Sequence, residues 1–178
     1  MRFRKGVTLV ELLIVISIVG IMLTVSLISM SQGRIEKELQ VEANQLMAVI
    51  REAQNNALTG KKASDNVCGW GIYVSAAATD DYEMYYNTTT NCSSDTKNYD
   101  SGGVSNILGN YSLKNGVTFP ASGGKKDIYF TIPHAIPYDD GGAITGNIQI
   151  QLTKGDRDYY VCVYEGGLIE AKKSESGC

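Results

Sequence analysis

The chain has 178 residues and a formal net charge of -3, with 16 Lys and Arg against 19 Asp and Glu. From Arg34 onward it has 145 residues, which is enough for one hydrophobic core but hardly for two. In that part 13 basic residues face 18 acidic ones, so the charge balance argues against nucleic acid as a partner.

The first element of the chain is an apolar run of 24 residues, 7–30, whose only charge is Glu11. Fifteen of the 24 are Leu, Ile or Val. Each of these favours membrane insertion by roughly 0.3 to 0.6 kcal/mol, whereas a central charge costs about 3 kcal/mol. Since about 20 apolar helical residues span a bilayer, the run predicts a transmembrane helix. Basic residues precede it and stay on the cytoplasmic side, so the rest of the chain is expected outside the cytoplasm.

Two simpler interpretations of this N-terminus are a cleaved secretory signal and an ordinary uncleaved anchor. A secretory signal has an apolar segment of about 7 to 15 residues and a small-residue cleavage site. The run here is longer and has no clear A-x-A site at its far end. Neither interpretation explains an acid placed early in the run.

The N-terminal residues resemble the signal of type IV pilins and pseudopilins. The resemblance rests on a short basic leader that ends at Gly6 and on the stretch 7–13, VTLVELL. It implies that residues 1–6 are removed by a prepilin peptidase, which cuts between Gly6 and Val7 and methylates the new N-terminus. It also implies assembly with other pilins by a membrane platform. Val7 stands where the family usually has Phe, and Ile28 stands where many major pilins have Pro, which argues mildly against a major subunit.

The same resemblance implies a role for Glu11. After cleavage the Val7 amine carries a positive charge, and Glu11 of one subunit is expected beside the amine of its neighbour. Burying either charge alone in hydrocarbon is costly and pairing offsets much of that cost, so the pair would fix the axial register of assembly. The alternative is an acid near the membrane interface, solvated by headgroups and without a specific partner.

An amphipathic pattern follows over residues 31–60. Apolar residues recur at every third or fourth position, as on one stripe of an α-helix: Ile35, Leu39, Ala43, Leu46, Ile50, Ala53 and Ala57. Polar and charged residues, Glu42 among them, cover much of the rest. We therefore predict one helix over 7–58 that ends at Gly60 and packs its second half on a sheet.

After residue 60 short β-like runs alternate with turns rich in Gly, Asn, Asp and Ser, which predicts an antiparallel sheet over 61–178. The predicted strands are 70–75, 82–86, 117–119, 128–132, 147–152, 159–164 and 168–172. Ile148, Ile150 and Leu152 alternate with polar residues, so their strand should bury one face. The clearest hairpin joins the last two strands through the glycine-containing turn 165–167. Residues 87–116 are predicted as a long polar loop with one short strand.

The predicted fold class is therefore α+β, with a long N-terminal helix, transmembrane in its first half, packed on an antiparallel β-sheet domain. This arrangement resembles the type IV pilin architecture. Within that superfamily the chain resembles the GspH/FimT group of minor pseudopilins and minor pilins. The looser similarity lies in the helix segment 52–57 (EAQNNA), the strand 69–74 (GWGIYV) and the final hairpin, which begins with YVCVY at 160–164.

Four cysteines allow three pairings, with free thiols as the alternative: Cys68, Cys92, Cys162 and Cys178. We favour Cys68 with Cys92, which would brace the loop after residue 87. We also favour Cys162 with Cys178, which would hold the C-terminal tail to its hairpin. Each bond would add about 3 kcal/mol through loop closure.

The sequence offers little for catalysis or metal binding. His134 is the only histidine, and there is no C-x-x-C spacing, no phosphate-binding loop and no nucleophile elbow. We predict no enzyme, no cofactor and no metal site. The predicted function is a minor pilin or pseudopilin of a type II secretion pseudopilus or a type IV pilus. The alternative is a DNA-binding minor pilin of a DNA-uptake filament, with Lys172 and Lys173 as weak phosphate-binding candidates.

Overall fold

The computed structural model describes residues 8–75, 79–100, 103–173 and 178. Gly6 and Val7, the predicted cleavage site, lie outside the described residues. The chain divides into two compact units, one that ends at Lys37 and one that begins at Glu38.

The first element is helix α1, Leu9–Leu58, which is continuous over 50 residues. Its C-terminal end is closed by Gly60, whose φ of +61° is a left-handed conformation that glycine adopts without strain. The amide of Gly60 donates to the carbonyl of Ala57 at 3.2 Å, and the amide of Lys61 donates to that of Asn56 at 2.9 Å. This is the Schellman pattern of a helix C-terminus, so Gly60 ends the helix as the sequence predicts.

The second unit contains two antiparallel sheets. Sheet one has six strands in the order β3-β2-β1-β4-β5-β6, and sheet two has three in the order β7-β8-β9. Their bounds are β1 Val67–Val74, β2 Asp81–Thr88, β3 Ser105–Ser112, β4 Lys126–Thr131, β5 Pro137–Asp139, β6 Gly142–Ala143, β7 Asn147–Lys154, β8 Arg157–Tyr164 and β9 Ile169–Lys172. The predicted α+β class, a helix packed on antiparallel sheet, is confirmed.

The apolar stripe of α1 packs into the core of the second unit. Six of its seven residues are buried: Leu39, Ala43, Leu46, Ile50, Ala53 and Ala57. Full burial of a Leu or Ile side chain stabilises the fold by about 1.5 to 3 kcal/mol. Two side chains then fix the helix to sheet two, because Arg51 donates to the carbonyl of Ile169 and Gln54 donates to that of Gly167, both at 2.7 Å.

The assignment of Glu42 to the polar face of α1 is wrong. Its side chain is only 2 % exposed. The turn that contains Asn115 covers this flank of the helix, and the Asn115 amide donates to Glu42 Oε1 at 3.2 Å. Lys154 lies on the same flank, where its ammonium donates to Glu38 at 2.5 Å. The packed face of α1 is therefore wider than its apolar stripe.

Two predictions about the sheets need correction. The predicted strand 117–119 is reduced to a single bridge, in which Thr118 and Thr153 exchange hydrogen bonds of 3.0 and 2.9 Å. Phe119 also donates at 2.9 Å to the carbonyl of Thr79, which lies between β1 and β2. We call 117–119 the joining segment, because it links β7 to the connection between two strands of sheet one. Within 87–116, the predicted short strand is β3, with eight residues.

The C-terminal half of the sheet prediction is confirmed. In β7, Ile148, Ile150 and Leu152 are buried and alternate with half-buried polar residues. The last hairpin pairs β8 with β9, and its turn contains Gly167 with φ of +79°. The period-two pattern and the glycine turn were both visible in the sequence.

Candidate assembly site and polar clusters

The N-terminal end of α1 is capped by Thr8. The amide of Glu11 donates to Thr8 Oγ1 at 3.2 Å, and the amide of Leu12 donates to the Thr8 carbonyl at 3.2 Å. Thr at the cap with Glu three residues later is the capping-box pattern, and an acid is favoured by the helix dipole at this end. Sequence reasoning missed this cap by Thr8, although the T-x-x-E signal was present.

The polar side chains further along this part of α1 are satisfied inside the helix. The hydroxyl of Ser17 donates to the carbonyl of Leu13 at 2.8 Å, and that of Thr24 donates to the carbonyl of Gly20 at 3.0 Å. An apolar surrounding requires such internal bonds because it supplies none. The Glu11 carboxylate, in contrast, has no hydrogen bond or ion pair among the described residues.

In the described residues, the helix surface near Glu11 is mostly apolar. Every large apolar side chain from Leu9 to Leu23 is exposed, from 48 % at Val19 to 81 % at Leu9. Within the described part of the chain, no helix combines the length and apolarity needed to cross a membrane. The exposed apolar side chains from Leu9 to Leu23 would be stabilised by contact with other apolar groups.

All four cysteines are in disulfides. Cys68 pairs with Cys92, with their Cα atoms 5.1 Å apart, and Cys162 pairs with Cys178, with their Cα atoms 5.7 Å apart. These are the two pairs that the sequence favours. The first attaches the start of the connection between β2 and β3 to β1, and the second attaches residue 178 to β8.

A buried polar cluster lies beneath the connection between β2 and β3. The Tyr85 hydroxyl donates to Asp127 Oδ1, and the Tyr129 hydroxyl donates to Asp95 Oδ2, both at 2.5 Å. The Tyr99 amide donates to Asp127 Oδ2 at 2.5 Å. Burial raises the pKa of Asp127 to about 6, against the opposing effect of the bonds from Tyr85 and Tyr99. Burial, followed by the field of Asp127, raises the pKa of Tyr85 well above its usual value.

This cluster holds the connection to the sheet. Asp95 accepts a second bond from the Asn87 amide at 3.0 Å, so both carboxylates already have donors on both oxygens. In the described residues, no group of three His, Cys, Asp or Glu side chains is placed to hold a metal ion. His134 lies exposed in a turn after β4. The arrangement indicates an anchor for the connection rather than a reaction site.

The weak phosphate-binding candidates lie at the end of β9. The Lys172 ammonium is 2.6 Å from Glu170 Oε1 and donates to the Tyr164 hydroxyl at 2.9 Å. The bond from Lys172 lowers the pKa of Glu170, which keeps this acid ionised beside the lysine. The neighbouring carboxylate offsets the charge that a phosphate contact would use. Lys173 follows as an exposed residue outside β9.

The comparison with known proteins identifies the N-terminal segment. Residues 1–27 match a protein-family model described as the prokaryotic N-terminal methylation motif. No curated protein and no solved structure matches the chain. The motif supports a type IV pilin-like or pseudopilin subunit in general, processed by prepilin peptidase and assembled with other pilins. It also suggests a structural subunit rather than an enzyme, with an N-terminus anchored in the inner membrane before it enters a filament.

Proposed function

We propose that this protein is a minor pilin or pseudopilin of the GspH/FimT type, a structural subunit of a type II secretion pseudopilus or a type IV pilus. Prepilin peptidase cuts after Gly6 and methylates Val7. Residues 7–30 then hold the subunit in the inner membrane as a single pass, with 31–60 continuing the helix and 61–178 outside the cytoplasm. From there the assembly platform moves it into the filament.

The observation that carries this proposal is the state of Glu11. It is the single acid of the apolar run 7–30. The hydroxyls of Ser17 and Thr24 are satisfied within the helix, whereas the Glu11 carboxylate has no partner among the described residues. A carboxylate in such a place gains most from a cation supplied by another molecule, because pairing offsets the cost of leaving water. The Val7 amine of a neighbouring subunit is the cation that the processing chemistry supplies.

The test separates the charge of Glu11 from the cap that Thr8 forms on the helix. Glu11→Gln keeps a side chain suited to the capping box but removes the charge, whereas Thr8→Ala removes the cap and keeps the charge. We expect Glu11→Gln to be inserted, cleaved and methylated but lost from the filament fraction. Thr8→Ala should enter the filament. Mass analysis of the membrane-extracted N-terminus, beginning at methylated Val7, reports processing, and crosslinking to neighbouring subunits reports assembly.

Two outcomes would contradict the proposal. If Glu11→Gln is incorporated as well as the unmodified chain, the charge pair does not set assembly. If the mature chain begins at Met1 or beyond residue 30, the protein is not processed as a pilin at all.

A further inference from the structure

A second site with an unassigned role is a cavity of about 190 Å³ in the second unit. We call it the inter-sheet pocket. Its apolar floor is formed by Val74 of β1, Phe119 of the joining segment and Ile150 of β7, all of which are buried. Lys126, Gln149 and Gln151 are among the polar residues that line it. Pockets for drug-sized ligands measure roughly 300 to 1,000 Å³, so this one has room for only one end of a larger ligand.

One wall of the inter-sheet pocket is an open strand edge. Backbone groups at the even positions of β7 are directed toward β8. The bond just before the strand shows this alternation, because the carbonyl of Gly146 accepts from the Glu165 amide at 2.9 Å. The backbone amides and carbonyls at the odd positions are therefore directed away from β8. On this side Thr153 exchanges two backbone hydrogen bonds with Thr118. Gln149 and Gln151 share that direction, yet no described strand pairs with them there. The pairing on this edge of β7 therefore consists of the single bridge between Thr118 and Thr153, and the backbone groups of Gln149 and Gln151 beside it have no described strand as a partner.

The chain leaves this edge of β7 because it turns away after Phe119. A short 3-10 turn, Ala121–Gly123, follows, and Gly124 has φ of +64°. The joining segment thus ends its pairing with β7 at Thr153 and forms the far wall of the pocket. An extended peptide that entered beside Gln149 would meet this wall and would have to end there.

The charge in the inter-sheet pocket is positive. Lys126 lines the pocket and has no carboxylate within 4 Å among the described residues. It does act electrostatically on Asp139 of β5, where its charge opposes the rise that burial causes in the pKa of that carboxyl. Its neighbour Lys125, just before β4, is not among the lining residues and is engaged, with its ammonium 2.6 Å from Asp140 Oδ1. An ammonium without a direct ion-pair partner, beside an apolar floor and open backbone groups, suits a carboxylate that is attached to an apolar residue.

We propose that the inter-sheet pocket binds the carboxyl-terminal residue of an extended peptide. The peptide runs parallel to β7, and its backbone bonds to the free amides and carbonyls of Gln149 and Gln151. Its last side chain rests on the floor formed by Val74, Phe119 and Ile150. Its terminal carboxylate meets Lys126. The pocket lies entirely in the second unit, so this inference stands independently of filament assembly.

The test uses the full chain in detergent and a fluorescent extended peptide that ends in leucine. Anisotropy compares the free acid with the same peptide carrying a C-terminal amide. We expect the acid to bind about tenfold more tightly, since a charge-assisted hydrogen bond contributes that much or more. Lys126→Met keeps the aliphatic stem of the lysine but removes its charge. It should lower the affinity of the free-acid peptide to that of the amide peptide. Lys125→Met is the matched control and should leave binding unchanged.

A second probe tests the strand pairing without changing the protein. The same acid with a methyl group on the amide nitrogen of its last residue cannot donate to β7, so it should bind several-fold more weakly. Equal binding of acid and amide would contradict the proposed contact between Lys126 and the terminal carboxylate. If binding did not saturate by about 1 mM peptide, the pocket would not be a peptide-binding site. If free acetate competed as strongly as unlabelled peptide, the site would bind a small carboxylate, and the proposal that it binds a peptide would be wrong.

Discussion

At the scale of single residues, glycines on β1 make room for the buried polar cluster. Gly69 lies under the ring of Tyr129, and Gly71 lies under that of Tyr85. A Cβ atom at either glycine would overlap the tyrosine ring. The two tyrosines can therefore lie across the sheet and donate to Asp95 and Asp127 only because β1 has no side chain there.

Gly71→Ala is expected to lower the free energy of unfolding by about 1 to 3 kcal/mol, as overpacking does in a filled core. Urea unfolding followed by the fluorescence of Trp70, the only tryptophan, measures the effect. Gly166→Ala is the matched control, because nothing lies within 4 Å of its added Cβ. A shift at Gly166 as large as that at Gly71 would contradict the packing argument.

Asp127 makes stability depend on pH. Its pKa is raised from 3.8 to about 6 in the folded chain, so folding favours its protonated form. The stability that this gives is fully present below pH 3.8 and is lost as the pH rises through about 6. Two pKa units correspond to about 3 kcal/mol. We therefore expect the stability of the unmodified chain relative to Asp127→Asn to fall by up to about 3 kcal/mol between about pH 4 and pH 7. A difference that stays constant with pH would contradict this.

At the scale of elements, the two disulfides act on different parts of the second unit. Cys68–Cys92 closes a loop with a sequence separation of 24 and holds the connection beneath which the polar cluster lies. Cys162–Cys178 closes one of 16 and holds only the C-terminal tail. Both should therefore contribute to global stability, but only the first should protect the connection.

Replacing either pair by alanines is expected to lower the free energy of unfolding by about 3 kcal/mol. Amide hydrogen exchange distinguishes the two variants. Loss of Cys68–Cys92 should speed exchange at residues 91–100, whereas loss of Cys162–Cys178 should leave these residues unchanged. The same exchange pattern in both variants would show that the first bond does not brace the connection.

The elements that sequence reasoning predicted well are those whose burial follows a simple period. The stripe on α1 and the alternation in β7 both place apolar residues on one face. Strand β3 gave little signal because it is an edge strand: it is mostly exposed, and even Ile107 and Leu108 are nearly half exposed. Glu42 was misplaced for the converse reason, since only the fold brings Asn115 over the polar flank of α1.

Of the two candidate sites, the sequence predicts the one at the N-terminus but not the inter-sheet pocket. Glu11 and Gly6 stand out in the sequence because local motifs define them. The inter-sheet pocket does not, because it arises where the joining segment leaves β7 after a single bridge. No local pattern at Gln149 or Gln151 indicates that their outward edge stays open, since this depends on residues about thirty positions earlier in the chain.

At the scale of the whole molecule, folding and assembly use different residues. Every buried residue in the described part of the chain lies at Leu39 or beyond, inside the second unit. The exposed apolar surface that surrounds Glu11 belongs to the first unit. A change in one unit should therefore affect one property and leave the other intact.

Leu46→Ala and Glu11→Gln test this separation in the full chain in detergent. Leu46 is completely buried, so its truncation should lower the free energy of unfolding by about 2 to 5 kcal/mol, measured by the fluorescence of Trp70. Glu11→Gln should leave the Trp70 transition unchanged while it abolishes incorporation into the filament. If Glu11→Gln destabilised the Trp70 transition as much as Leu46→Ala does, the loss of assembly would follow from unfolding and the charge of Glu11 would have no separate role.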